Sequence, residues 1–301
     1  MSEHALQLHV DDATGPAVAG EAQAFAFVRN LARELSQGIV ELPAYPDVAV
    51  RAREVLGDPE VTNERIAKII GTDAGLAARV LALANSAALA RGGKTVTDLR
   101  LAVTRVGHDN VRTAALAYAL TQIRASSSLQ HIRGELARLW ESSTLVAALA
   151  RVMAIHTRAA NADEALLAGL LHNVGAVYVL ARTPKDSTLL LDPATRDAVL
   201  IDWQASIGKA VAENWGLPER VTEAIGEQES IHRHEPGPRD LIDVLQVAVR
   251  AAGAYGQNAP SLPLVADLPA FQRLGLDTDL WAGILADGDA EILDLRSALG
   301  N

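Results

Sequence analysis

The chain has 301 residues, of which 49% are hydrophobic, 21% charged and 4% aromatic, with no cysteine and a formal net charge of −10. That length supports one large domain or two smaller ones with a sizeable core, and the missing cysteines exclude disulfides, thiol catalysis and Cys-based zinc sites. The acid excess opposes a phosphate backbone and points to protein or small-molecule partners, with no DNA expected.

The opening MSEHALQLHVDDATG lacks the basic start and apolar stretch of a signal peptide. The longest apolar run, Leu166 to Leu180, is short for a bilayer and is interrupted by His172 and Asn173. No membrane association and a cytoplasmic location are therefore expected.

Residues 1–16 read as a flexible arm. The spacing of Phe25, Val28, Leu31 (or Ala32) and Leu35 predicts a helix from Ala17 to Gln37, ended by Gly38. Two prolines keep Glu41 to Asp47 extended. Val48, Ala52, Val55 and Leu56 form the next apolar stripe, which stops at Gly57-Asp58-Pro59. Thr62 caps a helix with Ile66, Ile69 and Ile70 inside, and Gly71 closes it; Asp73 caps another carrying Leu76, Val80 and Leu83. Thr97 and Asp109 read as caps of two more helices with Gly107 between them.

Ser126-Ser127-Ser128 breaks the pattern and reads as a hinge. Helices are predicted over Leu129–His156, Asp163–Leu180, Ile201–Trp215, Pro218–Glu229 and Asp240–Tyr255. A loop is expected from Pro184 to Pro193, and a proline-bearing stretch from Ala259 to Pro269. The last helix, Thr278–Leu299, either packs back on the core or binds another chain. The resulting architecture is all-α, with two helical lobes at 17–128 and 129–258 and an extension at 259–301.

Three segments invite a chemical reading. LLAGLLHNVGAVYVL puts His172 and Asn173 inside an apolar helix, where an adjacent His and carboxylate can share a metal with ligands from neighbouring helices. Asn carries no charge and ligates divalent ions weakly, so a buried, satisfied histidine is the favoured reading. Thr62 to Ala90 could pass for a helix-turn-helix, yet its second helix offers only Arg79 as a cation, and core packing is favoured. Arg91-Gly92-Gly93-Lys94 lacks the full phosphate-loop pattern and reads as a surface turn.

The run ELPAYPDVAVRAREVLGDPEVTNERIAKIIGTDAGLAARVLALANSAAL resembles the opening of HDOD domains (HD-related output domains). The matching features are Leu42, Pro43 and Pro46, then Asp58-Pro59, Asp73 with Leu76, and Ala84 to Ala87. TVTDLRLAVTRVGHDNVRTAALAYAL, AGLLHNVGAVYVL and NWGLPERVTEAI are similar to the segments that follow, so the resemblance runs from about Ser36 to Arg250.

The resemblance implies an HD-like helical fold descended from metal phosphohydrolases. Those enzymes hold metal through a first His, a His-Asp pair and a late Asp; the HD-GYP relatives, which hydrolyse cyclic-di-GMP, add further histidines. Here the first His position falls on Ser142, the pair on His172-Asn173, the additional positions on Trp203 and Gln228-Glu229, and the late Asp on Val249. Only His172 survives, and one neutral imidazole cannot hold a catalytic divalent cation against water. A pseudo-enzyme with no catalytic residue, metal or cofactor is expected.

The implied role is a bacterial signal-transduction module acting on a regulatory protein partner, in the setting of cyclic-di-GMP or two-component signalling. With no receiver, GGDEF or EAL segment, a stand-alone adaptor is expected. Two alternatives stay open. One is a metal-dependent phosphohydrolase, for which Glu227 and Glu229 with His172 or His232 would supply an unorthodox site. The other is a sensor that binds a cyclic dinucleotide in the remnant cavity through His172, Asn173 and Gln228. Asn85 and Ser86 are further polar candidates, with helix termination as their favoured role.

Overall fold

The computed structural model describes residues 16–40, 42–90, 93–187, 192–230, 237–253 and 265–300. Every regular element among them is helical, and the protein is all-α. Residues 1–15 of the expected arm (1–16), Arg91 and Gly92 of the glycine turn, and residues 259–264 lie outside the described residues, while Pro16 already belongs to the first helix.

Helix α1 (Pro16–Ser36) buries Ala24, Val28, Leu31 and Leu35, one apolar stripe at helical spacing. After the proline elbow, α2 (Asp47–Leu56) buries Val48, Ala52, Val55 and Leu56. Helices α3 (Asn63–Ile70) and α4 (Ala74–Asn85) start where the capping residues direct. Thr62 accepts from the Arg65 amide and Asp73 from the Leu76 amide, caps worth about 1 kcal/mol each. A single turn, α5 (Ala87–Ala90), leads to α6 (Leu99–Ala125).

Here the sequence reading needs two corrections. Asp98, not Thr97, caps α6, because its carboxylate reaches the Leu101 amide. Asp109 is not a cap: its carboxylate pairs with Arg112 at 2.7 Å, although the two expected helical segments do meet at a kink at Gly107, where φ is 77° and the backbone is not helical. That left-handed conformation is cheap for glycine alone.

Ser126 ends α6 and caps a 3-10 turn, Ser127–Ile132, that feeds α7 (Arg133–Thr157). Buried residues from both sides of Ser126–Ser128 belong to one continuous core. Helix α7 is its axis, packed by α8 (Ala162–Leu171), α12 (Leu241–Ala252) and α14 (Thr278–Ala298). The approach of α8 needs Gly169, since a Cβ there would lie 2.5 Å from the Ala147 Cα.

The predicted helix Asp163–Leu180 is two helices: α8, then α9 (Val174–Arg182), separated by a turn at His172 and Asn173. The stretch Ala162–Arg182 is also long and apolar enough to cross a membrane, contrary to the sequence estimate, but its apolar window is 94% buried inside the protein. It is apolar because it lies in the core, covered by other helices.

Helix α10 (Pro193–Asn214) begins eight residues before the predicted start. Asp192 caps it and Pro193 occupies the first turn, where a missing amide costs nothing. It crosses α9 at backbone contact: a Cβ on Gly175 would fall 1.9 Å from the Gln204 carbonyl oxygen. Helix α11 (Glu219–Glu227) follows, and α12 opens with a reciprocal capping box between Asp240 and Asp243. A short α13 (Pro269–Arg273) was not anticipated.

Helix α14 packs back on the core. It lies along α7 and reaches α4 and α5, where Asp294 accepts from the Ala87 amide at 2.6 Å. The Arg79 guanidinium donates to the Leu299 carbonyl. The one cation of the supposed recognition helix is thus turned against the chain's own C-terminal segment.

Candidate functional site

The turn between α8 and α9 carries the surviving histidine. His172 is 4% exposed, and its Nδ1 lies 2.8 Å from the Gly169 carbonyl oxygen. A carbonyl only accepts, so Nδ1 holds the ring proton and Nε2 presents a lone pair. That lone pair faces the Ser142 hydroxyl, on α7, at 3.4 Å. Burial pushes the imidazole down to about 4, against the opposing bond to Gly169, so the ring is neutral near pH 7.

Asn173 is 7% exposed and spends its amide on the Leu139 carbonyl of α7 at 3.4 Å. Gln228, just past α11, donates to the His172 carbonyl at 2.8 Å and the Ile225 carbonyl at 3.0 Å. Four of the sequence candidates, Ser142, His172, Asn173 and Gln228, therefore meet around one turn. The other three do not join them by polar contact. Trp203 is half-buried against the core, Val249 likewise, and exposed Glu229 accepts from Gln204. Glu227 is exposed and His232 lies outside the described residues.

Helix α12, where the late Asp was sought at Val249, does carry a buried carboxylate earlier in the same helix. Asp243 is 1% exposed and is gripped by Arg273 of α13 at 2.6 and 2.9 Å, while also accepting from its own cap amide. It is committed to holding α13 on α12. Asn85 and Ser86 are also structural: Asn85 makes two 2.8 Å bonds to the Val96 main chain, and Ser86 closes α4 on the Leu83 carbonyl.

A cavity of about 370 Å³ opens beside this turn. Ser142 and Asn173 lie in its lining, with Arg138, Arg196, Glu135 and Asp197 among the charged residues around it. Neither His172 nor Gln228 is part of that lining, which moves the ligand contacts expected of them onto Ser142 and Asn173. Arg138 and Arg196 both approach Glu135, at 3.4 and 3.7 Å, and Arg196 also meets Asp197 at 3.3 Å. Sequence reasoning missed Arg196 because the Asp192-Pro193 helix start was read as loop.

These residues do not fit a divalent metal. The set offers one imidazole lone pair, one hydroxyl and two amides whose nitrogens are bonded to main-chain carbonyls. Catalytic sites use three or more strong protein ligands, commonly including carboxylate. Among the described residues, no group of three or more His, Asp or Glu could hold a metal ion.

Fold and turn together describe an HD-like helical protein. The HDOD domain family model matches residues 42–231, and the chain belongs to that family. A protein of Treponema pallidum (strain Nichols), itself described only as uncharacterized, is 29% identical over 265 residues, covering 83% of this chain and 50% of that protein. The chain thus spans about half the length of this relative.

Solved structures share the fold. One from Shewanella amazonensis SB2B, provisionally named a metal-dependent phosphohydrolase, superposes with a TM-score of 0.70 at 24% identity, covering 92% of this chain and 99% of that one. An HDOD domain protein of unknown function from Geobacter sulfurreducens gives 0.61 at 24% identity, covering 91% and 97%. A Marinobacter aquaeolei VT8 chain, provisionally named a signal transduction protein, gives 0.57 at 22%, covering 94% and 67%.

Proposed function

We propose that this chain is a non-catalytic regulatory module that works in signal transduction by binding a protein partner. The observation that carries the reading is the pairing of the His172 Nε2 lone pair with a serine hydroxyl, where a metal site would need a second strong ligand. Membership of the HDOD family fits a signalling role. Among the described residues no carboxylate stands beside His172, so a metal that would activate a water for phosphodiester attack lacks its usual ligands here.

The test is in vivo crosslinking of the tagged full chain under several growth states, followed by mass spectrometry. A reproducible regulatory protein supports the reading. An empty result in every state, together with phosphodiester turnover that disappears in His172→Ala, would replace it with the enzyme reading.

The cavity beside Ser142 and Asn173 favours a second reading, that of a nucleotide sensor. Its two guanidinium groups suit phosphate, although Glu135 and Asp197 balance their charge and a ligand must compete with those carboxylates. Calorimetry with cyclic-di-GMP tests this version; saturable heat weakened by Arg196→Gln supports it, and no heat at millimolar ligand ends it.

A further inference from the structure

A second cavity, of about 570 Å³, lies at the proline elbow, away from the His172 turn. Its walls come from three parts of the chain: Leu42, Pro43 and Tyr45 of the elbow with Arg53 of α2, Arg182 at the end of α9, and Trp215 just past α10. The volume falls in the range of small-molecule sites.

Its chemistry is uneven in an informative way. The Tyr45 ring packs against Trp215, centroids 5.6 Å apart and tilted by 48°. Its hydroxyl is buried and has no hydrogen-bond partner among the described residues. Burial pushes the phenol up to about 12 while Arg53 pulls the other way, so the group keeps its proton as a donor near pH 7. Arg53 is half-buried and has no ion-pair partner among the described residues. Arg182 is already engaged by Glu34 at 2.9 Å and by the Tyr178 hydroxyl at 3.2 Å, so it shapes the wall.

Two donors, one neutral and one cationic, therefore line a space bounded by an indole and by proline and leucine side chains. Among the described residues, no carboxylate is part of the lining. Buried donors are ordinarily satisfied, and the group that would satisfy both of these is an oxyanion. The flat apolar walls suit a planar body attached to it.

We propose that this cavity binds a small organic anion: a carboxylate or phosphate held by Arg53 and the Tyr45 hydroxyl, on an aromatic body set against Trp215. Occupancy would clamp the elbow onto the ends of α9 and α10, and α9 begins at the His172 turn.

The test is calorimetric titration of the full chain with guanosine 5′-monophosphate and, separately, with indole-3-acetate. Saturable binding of at least one probe is expected, and which probe binds separates a phosphate from a carboxylate ligand. Arg53→Gln should weaken that binding by roughly tenfold or more, as loss of a charge-assisted hydrogen bond does. Tyr45→Phe should weaken it several-fold without lowering thermal stability, because the hydroxyl it removes has no partner among the described residues. Leu293→Ala, at an exposed position of α14 outside both cavities, should leave it unchanged. Failure of both probes at millimolar concentration, or binding that survives Arg53→Gln or Tyr45→Phe, overturns the proposal.

Discussion

The Nε2 atom of His172 faces the Ser142 hydroxyl across 3.4 Å, with Nδ1 anchored on the Gly169 carbonyl. This pair fixes the tautomer of a ring that burial keeps neutral. It also leaves the imidazole acting as a packed, hydrogen-bonded core residue that ties α8 to α7.

The neutral ring makes stability depend on pH. An unfolded imidazole takes up a proton near pH 6.5, whereas the buried one stays neutral down to about 4. Between these values the unfolded chain binds more protons, so stability falls as pH falls through that window. The loss is on the order of 3 kcal/mol once pH is below both values. Urea unfolding at pH 7, 6, 5 and 4 should show this component in the wild type and lack it in His172→Gln, with the carboxylate contributions common to both.

Asn173→Asp restores the residue type of the parental pair but not its surroundings. The new carboxylate would sit at a position 7% exposed, with an oxygen toward the Leu139 carbonyl where an amide now donates. A loss of about 2 kcal/mol at pH 7 is expected in chemical denaturation. Millimolar manganese should not restore it; full recovery with manganese would show that the remaining ligands are present after all.

The Asp243–Arg273 pair should behave as a buried ion pair. Removing the cation by Arg273→Met leaves a carboxylate that is 1% exposed, and about 3 kcal/mol should be lost. The double variant Asp243→Asn with Arg273→Met should recover part of that loss. Additive losses in a double-mutant cycle would contradict the pairing.

Gly175→Ala tests the crossing of α9 and α10. A methyl group 1.9 Å from the Gln204 carbonyl oxygen cannot be accommodated without parting the helices. A loss above about 3 kcal/mol, or failure to accumulate folded protein, is expected. A melting temperature within a degree or two of the wild type would show that the crossing is looser than described.

Much of the fold was legible because local signals and apolar periodicity agreed. Thr62, Asp73 and Asp240 marked helix starts, and the stripes through Val28, Val55 and Val80 marked buried faces. Reading failed where chemically similar neighbours competed, as Thr97 and Asp98 did for one cap, and where a proline belonged to the helix it seemed to precede, as at Pro193.

At the candidate site, the identities at positions 142, 172, 173 and 228 could be read, and the structure gathers those four. Their direction could not be read. His172 and Gln228 turn inward to main-chain carbonyls, while Arg138 and Arg196 come to the cavity from two different helices. Such convergence is a property of packing and leaves no local pattern.

The most direct measurement is metal content of the full chain by inductively coupled plasma mass spectrometry, after expression with manganese and iron supplied. The expected result is substoichiometric metal that does not change in His172→Ala. One or two metal ions per chain, lost in that variant, would contradict the account and put the phosphohydrolase reading first.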